Sequence, residues 1–206
     1  AASNALGFAP AFTMSLAQRL YEGVELAGEG SVGLITYMRT DSFTIAKEAQ
    51  DAARAFITTR YGADFASPVQ RTYKNKSSAQ GAHEAIRPTD PARTPESLAG
   101  ALRPQELKLY ELIWKRFVAS QMADARYSIA TARIAATPSN GFGELLLSAS
   151  AAELLFPGFL KVMGDVAPQP EDDAKEGEDD RLDALPPLAA GEALDKGASL
   201  LKLGYP

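Results

Sequence analysis

The sequence predicts an α+β fold, with a helical part over about residues 1–121 and a β part over about 122–206. Three observations carry this. Apolar residues recur at helical spacing in three separate stretches before residue 121. After residue 122 the pattern changes to β-like runs broken by turn residues. The chain is 206 residues long, 46% apolar and 23% charged, which suits a folded chain able to bury one large core or two small ones.

Residues 12–22 (FTMSLAQRLYE) place Met14, Ala17, Leu20 and Tyr21 on one helical face, and Gly23 follows as a stop signal. The Gly-rich stretch GVELAGEGSVG reads as a turn or hairpin tip. GLITY at 33–37 is a short β-like run that ends in polar MRTDS. A helix is expected over about 44–60, with Thr44 as N-cap and Ile45, Ala49, Ala52 and Phe56 at helical spacing. Residues 62–82 read as a polar loop with a basic cluster at Arg71, Lys74 and Lys76. Pro88, Pro91 and Pro95 punctuate the next connection. Pro104 suits the first position of a helix over 104–121, whose broad apolar face includes Leu107, Tyr110, Trp114, Phe117 and Val118. YSIATARIAA (127–136) and GELLLSASAAE (143–153), separated by TPSNG, read as a hairpin. Residues 184–203 look like a further extended segment with a turn at Gly191.

With no cysteine, disulfides, thiolate metal sites and cysteine nucleophiles are excluded, and a single histidine excludes a site built mainly from imidazoles. No apolar run reaches the ~18 residues of a membrane span, and no charged-then-apolar leader opens the chain, so neither a span nor a signal peptide is expected. The net charge of −5 is concentrated. Residues 171–183 carry eight acids against two bases, within a low-complexity insert at 165–183, and residues 1–170 are close to neutral. That body can still present a local basic face to nucleic acid. The opening AASNALGF, without Met, and the close on LLKLGYP after an apolar run suggest a piece of a longer protein.

The chemistry-bearing segment is LITYMRTDS, residues 34–42. In an extended segment, residues two apart project to the same side, so Tyr37 and Arg39 can face one ligand. A phenol attacks only once its proton leaves or its charge is stabilised, and a guanidinium does the second while binding phosphate through paired hydrogen bonds. Tyr-x-Arg therefore points to attack on a phosphodiester, although on spacing alone such a pair is more often an ordinary surface pair. A second segment, GAHEAIRPT (81–89), holds the only histidine, His83, beside Glu84, with Arg87 four residues on. His83 can donate to a phosphate oxygen or serve as a hydrogen-bonded structural residue.

Together these segments resemble the type IA DNA topoisomerases, above all the bacterial topoisomerase I branch. ITYMRTDS is similar to that family's active-site tyrosine motif, and AHEAIRPT to its second signature, about 45 residues downstream. LYELIWKRFVASQM resembles the helix leading out of the tyrosine-bearing domain, and LGFAPAFTMSLAQRLYEG the helix ahead of the motif. The topoisomerase III branch usually has Pro after the tyrosine, where this chain has Met38. The likeness runs to residue 136 and is weaker beyond.

The resemblance implies a helical, winged-helix-like gate domain bearing the tyrosine (1–121), followed by part of a β arch (122–206) that contains the acidic insert. It implies that Tyr37 attacks a DNA phosphate to give a 5′-phosphotyrosyl link, that another strand passes, and that the break is resealed without ATP, relaxing negatively supercoiled DNA. Arg39 would steady the phosphate. His83, Thr36 and Arg87 would contact DNA, and Asp41 would orient its neighbours. Mg²⁺ and a proton-donating lysine would come from a metal-binding domain elsewhere, so the chain alone is expected to be inactive and to bind no metal itself. The partners implied are DNA, single-stranded at the break, and the remaining domains of the same polypeptide, in the bacterial cytoplasm at the nucleoid. The alternatives are a non-catalytic DNA-binding module, with Arg39, Lys74, Lys76 and Arg87 on backbone phosphate, and the topoisomerase part of a reverse gyrase.

Overall fold

The structure is a computed structural model that describes residues 1–73, 84–136 and 145–164. The basic residues Lys74 and Lys76, His83, the turn TPSNG, the acidic insert and the segment expected at 184–203 lie outside the described residues. No helix among the described residues is long and apolar enough to cross a membrane.

A short helix α1 (Ala2–Leu6) leads into α2 (Pro10–Glu22), whose first position is Pro10, where a missing N–H costs nothing. Leu16, Ala17 and Leu20 of α2 are buried, whereas Met14 and Tyr21 are exposed. The buried stripe is thus rotated from the expected one, and Tyr21 is left at its edge. Gly23 ends the helix, and its N–H donates to the Arg19 carbonyl at 3.1 Å. The Gly-rich stretch forms a small antiparallel hairpin, β1 (Val24–Leu26) and β2 (Gly30–Val32). Its turn uses Gly28 at φ 83° and Gly30 at φ 75°, a region that favours glycine.

Beyond the hairpin the chain returns along α2, where the Leu34 N–H donates to the Leu20 carbonyl at 2.7 Å. The expected β-like run 33–37 is extended, but it pairs through a single antiparallel bridge, Ile35 to Pro88. Helix α3 (Lys47–Tyr61) begins later than expected, and its N-cap is Ala46 rather than Thr44. The reason is tertiary: the Ala46 N–H donates to Glu84 Oε1 at 2.9 Å, so a carboxylate from a distant segment sits at the positive end of the helix. Ala53 and Ile57 are buried, Ile45, Ala49 and Phe56 pack at the edge of the core, and Ala52 faces solvent. A 3₁₀ turn (Ala63–Phe65) and the loop after it are tied back to α3, with Arg54 Nη1 donating to the Ser67 carbonyl and Gln50 Nε2 to that of Arg71.

Helix α4 (Pro104–Gln121) has the expected bounds. Its buried Leu109, Tyr110, Trp114, Phe117 and Val118 form the centre of the core with Leu16, Leu20, Leu34, Ile35 and Ile57. Buried Glu106 accepts from the Arg103 N–H at 3.0 Å and pairs with Arg19 at 2.7 Å, which caps α4 and ties it to α2. Trp114 Nε1 donates to the Pro91 carbonyl and the Tyr110 hydroxyl to the Arg93 carbonyl, so two buried aromatics fix the Pro-rich connection.

Strands β3 (Arg126–Ala136) and β4 (Leu145–Phe156) form an antiparallel ribbon, as the hairpin reading expects, with an irregularity at Arg126/Tyr127. Eleven residues of strand give a length of roughly 37 Å. Both faces are largely exposed, including Leu146, Leu147 and Leu155. At the root, Gly158 takes φ 47°, and a Cβ there would lie 2.5 Å from the Ala123 carbonyl oxygen. Only glycine fits where the two ends of the ribbon close. A last short helix, α5 (Leu160–Met163), packs Val162 into the core.

Candidate active site

The site is built from two segments laid side by side. The Thr36 N–H donates to the Arg87 carbonyl at 2.9 Å and the Thr89 N–H to the Leu34 carbonyl at 3.0 Å. The Thr36 hydroxyl donates to the Ala85 carbonyl at 2.8 Å and accepts from the Arg87 N–H at 3.0 Å. The Thr89 hydroxyl donates to the Gly33 carbonyl. The two motifs noted in the sequence therefore form one unit, and Thr36 spends its hydroxyl on clamping them together.

Tyr37 stands at the rim of this unit with 56% of its surface exposed. Its neighbours Ile35 and Met38 are buried, so the backbone on either side is anchored while the phenol reaches solvent. The Arg39 N–H donates to the Tyr37 carbonyl at 2.8 Å, a tight three-residue turn centred on Met38. Arg39 Nε meets Asp41 Oδ2 at 3.0 Å, with both side chains part-exposed. Asp41 thus orients the guanidinium. Its other oxygen, Oδ1, is buried and has no hydrogen-bond partner among the described residues.

Arg87 is placed differently. Its side chain is 13% exposed, its Nη2 pairs with Glu84 Oε2 at 2.7 Å, and its Nη1 donates to the Pro88 carbonyl. Glu84 also accepts from Ala46, so Glu84 and Arg87 join the second motif to the start of α3. The structure thus pairs Arg39 with Asp41 at the surface, leaves the nearby Tyr37 phenol exposed and turns Thr36 and Arg87 inward, whereas His83 lies outside the described residues.

Sequence reasoning missed two contributors. Tyr21, assigned to a buried helix face, lies with its ring 5.3 Å from the Tyr37 ring, centroid to centroid, at an interplanar angle of 70°. Gly33 permits the approach, since a Cβ there would lie 2.8 Å from the Tyr21 carbonyl oxygen. The available signal was the Gly-rich hairpin, which must return residues 33–37 to the end of α2. A separate cleft of about 700 Å³ at the root of the ribbon is lined by residues including Arg54, Arg71 and Arg126, and includes none of the Tyr37 motif. Among the described residues no three His, Cys, Asp or Glu side chains come together to hold a metal ion.

Comparison with known proteins gives a consistent result. A family model described as DNA topoisomerase matches residues 1–203. The DNA topoisomerase 1 of Helicobacter pylori strain J99 is 50% identical over 164 residues, covering 79% of this chain and 21% of that protein. The DNA topoisomerase 1 of Streptomyces coelicolor is 46% identical over 195 residues, covering 94% and 19%. The structure of full-length topoisomerase I from Thermotoga maritima matches with a TM-score of 0.65 and 38% identity, over 86% of this chain and 27% of that one. The chain spans about a fifth of the length of these curated relatives.

Proposed function

Because the chain belongs to the DNA topoisomerase family, we propose that it is the tyrosine-bearing part of a type IA enzyme, with Tyr37 as the nucleophile. The observation that carries this reading is an exposed phenol between the clamped Thr36 and the buried Met38, with a guanidinium two residues on and a carboxylate holding it. In the proposed step Tyr37 Oη bonds to a DNA backbone phosphorus as the P–O3′ bond breaks. The phenol proton leaves to solvent or a base, and the 3′ oxygen takes up a proton. Arg39 steadies the added negative charge through charge-assisted hydrogen bonds. Reversal restores the DNA bond, so bond energy is conserved in the phosphotyrosine and no ATP is consumed. Between the two steps a second strand passes.

In this reading residues 1–121 are the moving gate and 122–206 part of the arch that carries it. Asp41 orients Arg39, His83 contacts DNA phosphate, and Thr36 and Arg87 act on the shape of the site. Mg²⁺ and the acid that protonates the 3′ oxygen come from other domains of the polypeptide, so this chain alone does not relax DNA. The DNA at the break is single-stranded and the enzyme works in the bacterial cytoplasm. The test uses the complete polypeptide with negatively supercoiled DNA and Mg²⁺, stopped with detergent, followed by peptide mapping of protein joined to 5′ DNA ends. A link at Tyr37, lost in Tyr37→Phe while DNA binding persists, supports the reading. Binding with no link would make the chain a DNA-binding module instead.

A further inference from the structure

Tyr21 is exposed over 40% of its surface, yet its surroundings are tightly constrained. The backbone of residues 20–21 and that of 33–34 touch directly. The Leu34 N–H bonds to the Leu20 carbonyl at 2.7 Å, and Gly33 sits where a Cβ would lie 2.8 Å from the Tyr21 carbonyl oxygen. Helix α2 ends within two residues of Tyr21, so its Cα is fixed relative to the strand that bears Tyr37. From that fixed point the Tyr21 ring meets the Tyr37 ring in a T-shaped contact.

The consequence concerns rotamers. The backbone of Tyr37 is held by its buried neighbours, but an exposed phenol can still turn about its χ1 and χ2 torsions. The Tyr21 ring packs directly against that of Tyr37, centroids 5.3 Å apart. It contributes little to the core, being outside the buried cluster. We infer that Tyr21 is a positioning residue for Tyr37: its ring restricts the phenol to the orientation from which the hydroxyl meets the phosphate. This rests on the nucleophile reading above and adds to it a residue that does no chemistry itself. Restricting a reacting group to a near-attack geometry raises the rate of the covalent step without tightening substrate binding. The ring supplies this, so phenylalanine at position 21 suffices.

The complete polypeptide is tested in single-turnover cleavage of a single-stranded oligonucleotide with Mg²⁺, comparing wild type, Tyr21→Phe and Tyr21→Leu, with DNA affinity measured separately. Tyr21→Leu forms the Tyr37–DNA link roughly 2- to 10-fold more slowly, the scale of one aromatic pair. Its affinity stays within about twofold, as for a neutral surface substitution, and Tyr21→Phe restores the rate. Equal rates for leucine and wild type overturn the inference. So does a Tyr21→Phe defect as large as that of leucine, which moves the role to the hydroxyl. An affinity loss that accounts for the rate loss also overturns it, making Tyr21 a DNA contact. Fluorine NMR of protein made with 3-fluorotyrosine, with the Tyr37 signal assigned from Tyr37→Phe, reads the ring contact without chemistry. That signal moves in Tyr21→Leu, and an unmoved signal overturns the inference by itself. A wild-type protein that never links DNA at Tyr37, with the signal still moving, refutes the nucleophile reading instead.

Discussion

Gly33→Ala probes how the tyrosine strand is held against α2. Gly33 has no left-handed φ, so alanine can adopt its backbone and only space opposes the change. The added Cβ lies 2.8 Å from the Tyr21 carbonyl oxygen, whereas ordinary contact begins at 3.4 Å, so the two segments must part by about 0.6 Å. The adjacent Leu34 N–H to Leu20 bond, now 2.7 Å, then stretches to about 3.3 Å, beyond the usual range. Losing most of that bond costs ~1 kcal/mol, and the overpacking ~1–3 kcal/mol. Lower entropy of the unfolded chain returns ~0.4–1 kcal/mol. The expected net loss is ~2 kcal/mol, which lowers Tm by roughly 4–8 °C for a chain of this length. Thermal unfolding followed by circular dichroism measures it. Gly100→Ala is the control, because nothing lies within 4 Å of a Cβ there, and it should be neutral or slightly stabilising. A Gly33→Ala protein that melts with wild type would refute the claim that close backbone approach places the strand.

Two further outcomes test the second motif and the core. Glu84→Ala leaves the Arg87 guanidinium, 13% exposed, without its ion pair and removes the acceptor at the start of α3. Because Glu84 itself is one-third exposed, a loss of ~1–3 kcal/mol is expected in urea unfolding. Glu84→Gln should lose less, since its amide oxygen still accepts from Ala46. Burial holds the Tyr110 phenol above its ordinary range. The folded state therefore keeps a proton that the unfolded state loses near pH 10, so this group's contribution is intact below about pH 10 and is lost as pH rises beyond it. Tyr110→Phe should flatten that alkaline fall in a pH series of unfolding midpoints. It should also cost ~1 kcal/mol at neutral pH through the lost bond to the Arg93 carbonyl.

What was legible in the sequence was local. Helix α4 has the expected bounds, because Pro104 marks its start and its apolar face persists to residue 121. The ribbon was legible because two β-like runs flank a turn signal, with β4 running to Phe156 rather than ending at 153. The helices α1 and α5 were missed because five and four residues show no periodicity. The start of α3 was misplaced because its acceptor, Glu84, comes from 38 residues away. The same limit applies to the site. Tyr37, Arg39 and Asp41 fall within one short motif and could be grouped from the sequence. The inward turn of Thr36 and Arg87 depends on pairings that no local pattern encodes, whereas the approach of Tyr21 had a local signal in the Gly-rich hairpin. An arginine in a phosphate-binding type of motif looks available until Glu84 is seen to hold it.

The clamp around Tyr37 also has a history in time. Its hydrogen bonds join residues 49 and 51 apart, with the whole of α3 in between. Closing a loop of that size costs on the order of 3–4 kcal/mol of chain entropy before the contacts return any of it. Non-local pairings of this kind form late and slow the folding of the chains that depend on them. At synthesis rates of about 5–20 residues per second, the segment bearing Tyr37 emerges roughly 3–10 s ahead of its partner segment. Until then the tyrosine lacks the clamp from residues 85–89, and the geometry at its hydroxyl is a product of completed folding rather than of the motif that spells it.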